Sequence, residues 1–332
     1  MAPRVFALNV HANWACRHSG ACCSAGWAIP VEPSRRAVLG TDLLIPDADG
    51  VCRFHDRDAK RCRVHAEHGE DMLPGSCVHF PRRALIDNRG VHVSLSHFCP
   101  TAARMLVTTP GPLHIVENPP AFPATRPYEG LDGRETWPPL IKADLLFDLP
   151  GYERWERHVV GVLADGTGDV LDSLARLAAD VEALREWTPE EGPLEAHVQR
   201  LTESRRTAAA CQGAWRRYQR LTDSATWDDV VACVPDGLDR PAATTAGTDQ
   251  AGAPALDVEV RRRYLAAKAF ASWSAYDALG MRTALAELVV ADSVLRVEGT
   301  RHPAIEAVRA ADWLLVHLVD RPALMAWLSR LE

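Results

Sequence analysis

The apolar positions change character along the chain. In the first third they come as short extended runs, Arg4–Val10, Trp27–Val31 and Val91–Leu95, punctuated by Gly, Pro, Asp and Asn. That pattern predicts short strands in a loop-rich region. From Thr108 to Leu140 there are eight prolines, including Pro119–Pro120 and Pro138–Pro139. Proline lacks the amide donor and restrains its predecessor, so this stretch is neither continuous helix nor central strand. It is expected to be an extended surface connector closing a first domain.

Beyond it the spacing becomes helical. Asp169 is placed to cap a helix whose stripe is Val170, Leu174, Leu177, Val181 and Leu184. A second helix is expected near 194–221, with Leu201, Ala208, Cys211, Trp215 and Tyr218 on one face. Pro235–Pro254 reads as a loop. Val258–Leu279, stopped by Gly280, is followed by helices near 281–297, 303–319 and 321–331, the last two entered through Pro303 and Pro322. The expected fold is mainly α: a small cysteine-rich, loop-rich metal module with short strands (1–107), a connector (108–140) and a C-terminal helical domain (141–332) with a flexible loop (235–254).

Within Val159–Leu174 the run Asp165-Gly-Thr-Gly168 superficially matches a nucleotide-binding glycine loop. No strand alternation follows it, so a turn between two helices is the better reading. Trp155, Trp187, Trp215, Trp273, Trp313 and Trp327 are expected in the core, Cys211 and Cys233 in packing, and His317 as a buried, hydrogen-bonded histidine.

Composition narrows the classes. With 332 residues, 47 % apolar and 24 % charged, the chain is an ordinary globular one, which excludes disorder, collagen and fibrous coiled coil. No apolar stretch reaches the roughly 18 residues of a membrane span, and the first residues lack a signal-peptide pattern, so a cytoplasmic location with no membrane partner is expected. The net charge is −7; residues 1–107 hold 13 basic against 10 acidic residues, a net of +3, leaving −10 for the rest. Neither part suggests a nucleic-acid partner.

Cysteine usage is the informative feature. Seven of nine cysteines, Cys16, Cys22, Cys23, Cys52, Cys62, Cys77 and Cys99, fall in a window of 84 residues, and eight of the thirteen histidines lie in the first hundred positions. In a reducing compartment such a cluster binds metal. There is no C-x₂-C or C-x₄-C knuckle of the kind that presents two sulfurs to one zinc. Dispersed cysteines suit a cluster with separated corners, and the Cys99–Pro100 step matches the end of bacterial ferredoxin motifs. An iron–sulfur cluster, zinc and other iron remain open. Cys22 and Cys23, if extended, point to opposite sides.

Particular segments carry a family resemblance. CRHSGACC resembles the C-x-x-C-G-x-C-C signature of a cysteine-cluster family described as a zinc- or iron-chelating domain, and VCRF, RCRVH and CVHFPR resemble its later elements. CCSAGWAIPVEP, GEDMLPGSCVHFPRRAL and SLSHFCPTAARMLV are similar to the flagellin lysine-N-methylase branch of that family. The match covers residues 14–107. It departs at Ser19, where the signature has a cysteine; that position is vacant or served by His18. The resemblance implies a protein holding an iron–sulfur cluster, 4Fe-4S, that methylates lysine side chains of a protein or peptide with S-adenosylmethionine; flagellin as substrate rests on resemblance only. In that setting Arg82 and Arg83 are candidates for holding an anionic cofactor group by bidentate hydrogen bonds, and Glu70, Asp71 and His79 are candidate bases. The alternatives are a non-catalytic metal-binding or redox-sensing protein, and zinc as a structural staple.

Overall fold

The computed structural model describes residues 3–165, 168–235 and 256–331; nearly all of the expected loop at 235–254 lies outside them. The architecture is mainly α, with a mixed sheet contributed by the first 132 residues. The sheet order is Ile115–Glu117, Val5–Leu8, Gly90–Leu95, Arg82–Asp87, Gly130–Asp132. Val5–Leu8 runs parallel to Gly90–Leu95, with Phe6 opposite His92, and Arg82–Asp87 pairs antiparallel with Gly90–Leu95. The turn joining that hairpin needs Gly90: at φ +144 a Cβ there would stand 2.5 Å from the Arg4 carbonyl oxygen.

The proline-rich connector supplies both edge strands, antiparallel to Val5–Leu8 on one side and parallel to Arg82–Asp87 on the other. Edge positions are where a proline-flanked segment fits, because one side of its ladder needs no donor. The connector is therefore part of the sheet rather than a strap laid over the surface.

Alternation gives the sheet two different faces. Val5, Ala7, Ala84, Val93 and Leu95 pack with Trp14, Cys99 and Phe122. Phe6, Leu8 and Leu85 face the helices and join one continuous core with Phe98, Leu177, Leu265 and Val294. Packing is thus unbroken across the boundary anticipated near residue 107.

Asp169 caps the Val170–Arg185 helix, its carboxylate accepting the Leu171 N–H, and all five stripe residues are buried. The run expected near 194–221 is divided into Leu194–Glu203, Ala208–Trp215 and a 3-10 turn at Gln219–Thr222, since Ser204 takes an extended conformation and Thr207 caps a new helix. Likewise Val258–Ala269 ends well before Gly280, with Ala271 at φ +53. Met281–Arg301 and Ala304–Asp312 follow; the latter passes into a π-helical turn, Trp313–Leu318. Such turns often mark functional positions. Here it turns Trp313 and His317 toward the first third of the chain: the Trp313 indole N–H donates to the Ala25 carbonyl (3.0 Å), and the His317 ring lies 4.6 Å from that of Trp27.

Val159–Leu174 is, as expected, the end of one helix (Leu149–Asp165) and the start of the next. Trp313 and Trp155 are deeply buried, and Trp187, Trp215, Trp273 and Trp327 pack partly buried against the core. Cys211 departs from expectation: it is half-exposed on a helix that buries none of its residues. No helix among the described residues is long and apolar enough to cross a membrane.

Candidate functional site

A chamber of about 730 Å³ opens on the sheet's Trp14 face, and all seven N-terminal cysteines border it. Trp14, Trp27, Phe54 and Phe80 give it aromatic walls. Cys211 and Cys233 have no part in it.

Its framework is mostly backbone hydrogen bonding between loops. Cys22 and Cys23 sit on a 3-10 turn, Ala21–Ser24, entered through Gly20 at φ +72. A Cβ on Gly20 would meet the His55 ring at 2.5 Å and the Lys60 carbonyl at 2.7 Å, so glycine is needed for the close approach. The Cys52 N–H donates to the Cys23 carbonyl (2.7 Å), tying two distant stretches together. Cys62 pairs with His55 across a two-stranded ribbon and then caps the Arg63–His68 helix. Cys77 lies in the short Gly75–His79 helix, where the Gly75 N–H donates to Glu32 Oε1 (2.7 Å). Beneath them Ile29, Val31, Leu39, Leu44 and Val64 form a small separate core.

The sulfurs fall into two groups. Cys23 lies between Cys22 and Cys62 and keeps its single proton to share with them, which raises its own pKa far above the ordinary value. The Cys62 thiol is lowered to about 6, first by that shared proton and then by the backbone N–H groups of His65 and Val64. Cys22 is lowered in the same way by Cys23. Burial, followed by the charges of Cys22, Cys62 and Cys52, pushes Cys77 up to about 12; burial also raises Cys52. These five share one electrostatic environment. Cys16 and Cys99 belong to another part of the wall: Cys99, buried at the entry to the Pro100–Thr108 helix, packs in one apolar cluster with Trp14, and its pKa is raised chiefly by burial. Cys22 and Cys23 do not diverge as an extended chain would require, because the 3-10 turn brings both thiols to one side.

Convergence on a chamber is not convergence on a point. Among the described residues no three His, Cys, Asp or Glu side chains stand close enough to hold a single ion. The closed metal module expected from the cysteine spacing is therefore not present as such; loop geometry spreads the sulfurs around the void. No protein-family model, no curated protein and no solved structure matches the chain.

The two candidate arginines are parted by strand alternation. Arg82 lines the chamber, its guanidinium 4.9 Å over the Trp14 ring and its Nη1 donating to the Val78 carbonyl (2.9 Å). Burial and the neighbouring Arg126 lower its pKa, and its buried Nε has no hydrogen-bond acceptor. Arg83 points through the sheet to the opposite face, 4.7 Å over Trp273. The pair therefore does not grip one group. Ser19 lines the chamber with its hydroxyl accepting the Ala21 N–H (3.5 Å), and the His18 ring lies 4.9 Å from that of His65. Of the candidate bases, Glu70 lines the chamber and pairs with Arg126 at 3.3 Å, His79 faces Glu129 at 3.3 Å, and Asp71 is exposed.

Sequence reading missed a buried polar seam between sheet and helices. Asp312 Oδ2 accepts from Ser96 Oγ (3.1 Å) and the His97 N–H (2.7 Å), and its Oδ1 accepts from Tyr264 (3.3 Å) and lies 3.7 Å from Lys268. His317 Nε2 meets Ser96 Oγ at 2.6 Å. A second knot joins Arg89 to Asp87 (2.7 Å) and Glu156 (3.0 Å), with the Tyr276 hydroxyl on Asp87 (2.6 Å). The available signal was an excess of Asp, Arg and Lys inside otherwise apolar helical stretches.

Proposed function

We propose that the chamber holds an iron–sulfur cluster and that the protein transfers a methyl group from S-adenosylmethionine to a lysine of a protein or peptide. The observation that carries the reading is the gathering of seven dispersed cysteines, and neither of the other two, around one void. The donor set is thiolate-rich, which favours iron–sulfur and other soft-metal chemistry over calcium or magnesium. Sulfurs spread about a chamber suit the separate corners of a cluster better than one tetrahedral zinc.

Cys22, Cys52, Cys62 and Cys77 are the ligands we assign, with Cys23 the reserve. Their mutual electrostatic strain supports this choice, since a bound cationic centre removes it. Held by all four thiolates, the cluster would supply electron transfer. Arg82, half-buried and with its Nε lacking an acceptor, is suited to the carboxylate of S-adenosylmethionine. A lysine entering beside Arg82 and Arg126, between Trp14 and Trp27, meets like charge and apolar walls. Both lower its pKa and favour the neutral amine that methyl transfer requires. A non-catalytic metal-binding or redox-sensing role is favoured by one observation: Glu70, the carboxylate lining the chamber, is engaged by Arg126 and not free as a base.

Anaerobically purified protein is expected to be brown, with matching iron and acid-labile sulfide. Saturating S-adenosylmethionine is expected to raise its melting temperature. Zinc without iron removes the cluster reading. Iron and sulfide with no response to S-adenosylmethionine leave the redox-sensing role in place of methyl transfer.

A further inference from the structure

We infer that the opposite face of the Arg82–Asp87 strand carries a second site, for a small aliphatic carboxylate held by Arg83 and Lys268. The inference is independent of the cluster, because the sheet separates this site from the chamber.

It begins with an imbalance of donors and acceptors. A pocket of about 20 Å³ is lined by Arg83, His97, Lys268, Trp273, Asp312 and Arg321, among others. Among the described residues Arg83 has no ion pair or side-chain hydrogen bond; its one contact of note is the Trp273 ring. The Trp273 Nε1–H is buried without an acceptor, and neither ring nitrogen of His97 has a hydrogen-bond partner. Lys268 reaches only Asp312 Oδ1, at 3.7 Å. The carboxylates are already occupied: Asp312 by Ser96, His97, Tyr264 and Lys268, and Glu287 by Arg321 at 3.2 Å. A ligand offering acceptors alone corrects the balance. Burial lowers the pKa of both Arg83 and Lys268, so each cation gains from an anion beside it.

Size and surroundings define the class. The pocket has room for the two oxygens of a carboxylate head, not for a nucleotide or phosphate ester. Lys268, Ser272 and Glu287 also wall a second, mainly apolar cavity of about 50 Å³ that includes Tyr152, Trp155 and Leu285. An alkyl tail of a few carbons fits there.

The test is thermal unfolding of the full chain in titrations of sodium formate, acetate, propionate and butyrate, at constant ionic strength set with sodium chloride. Saturable stabilisation is expected, with affinity rising about fourfold per methylene until the apolar cavity is filled. Arg83→Gln abolishes the response and Arg157→Gln, at an exposed helix pair outside both sites, retains it. Ala284→Leu, which fills the apolar cavity far from the guanidinium, keeps the formate response and flattens the chain-length series. The proposal is overturned by no saturable response in the wild type, by chloride acting as well as formate, by equal responses of wild type and Arg83→Gln, or by an unchanged series in Ala284→Leu. Failure here leaves the cluster reading intact, since iron and sulfide content report on that separately.

Discussion

Around the cysteine chamber, five thiols shift one another's pKa, while Arg82, Arg126 and Glu70 line the same wall. Elsewhere buried carboxylates are matched: in the seam between sheet and helices Asp87 and Glu156 by Arg89, and among the helices Asp292 by Arg261 (2.9 Å) and Asp180 by Arg206 (2.6 Å) and His158 (2.9 Å). Buried polar groups are normally paired, so an unmatched set needs a reason. The seam is a finished interior that fixes how the helices meet the sheet. The chamber is an open, thiol-rich void, and the proposed cluster is what would fill it. Local rules broken in one place and kept in another are a guide to where function resides.

The contrast can be broken most severely through the sulfurs. Cys62→Ser and Cys77→Ser are each expected to reduce iron per chain at least tenfold, read by colorimetric iron assay after anaerobic purification; a full complement in both would remove these residues from the ligand set. Next in size is the seam. Asp312→Asn leaves Lys268 buried without its counter-charge and is expected to cost about 3–5 kcal/mol in chemical denaturation. A loss below about 1 kcal/mol would show that the seam is not the structural anchor described here. Gly20→Ala forces a side chain onto a left-handed position against the Lys60 carbonyl. It is expected to cost about 1–3 kcal/mol and to lower iron content along with stability.

A pH measurement sharpens the seam's role. Burial lowers the pKa of His317 to about 4, so the folded protein keeps this ring neutral. Between that value and the ordinary histidine value near 6.5 the unfolded chain binds the extra proton. Stability therefore rises with pH across this window, by up to about 1.4 kcal/mol per pH unit from this residue. His317→Gln is expected to flatten the slope; an unaltered slope would mean the ring is not held neutral. The smallest effect is expected at Cys211→Ser, within about 0.5 kcal/mol and with iron unchanged, since that thiol is half-exposed and outside the chamber.

How much of this was legible beforehand follows from the range of the forces involved. The Asp169-capped helix was read correctly because cap and stripe lie within one segment. The divided helix after Leu194 was not, since Ser204 and Thr207 are weak local signals beside a long apolar pattern. The connector's two edge strands were invisible because their partners, Val5–Leu8 and Arg82–Asp87, are remote in sequence. For the site, the identity of the chamber cysteines could be read from their density, but their division into five and two could not. Arg82 and Arg83 are a tandem in sequence only: on the Arg82–Asp87 strand period-two alternation parts them, and that strand's partners are set by contacts the local sequence does not carry.

The bond from Trp313 to the Ala25 carbonyl joins positions 288 apart in sequence. A ribosome delivers Cys22 long before it delivers Trp313, so a nascent chain carries its thiols through nearly 300 further residues without the helical turn that braces the loop beside them. Chains cut short before that turn would keep all seven cysteines and still lack the brace, which makes the shape of the loop beside Cys22 a product of the helical region as well as of its own sequence.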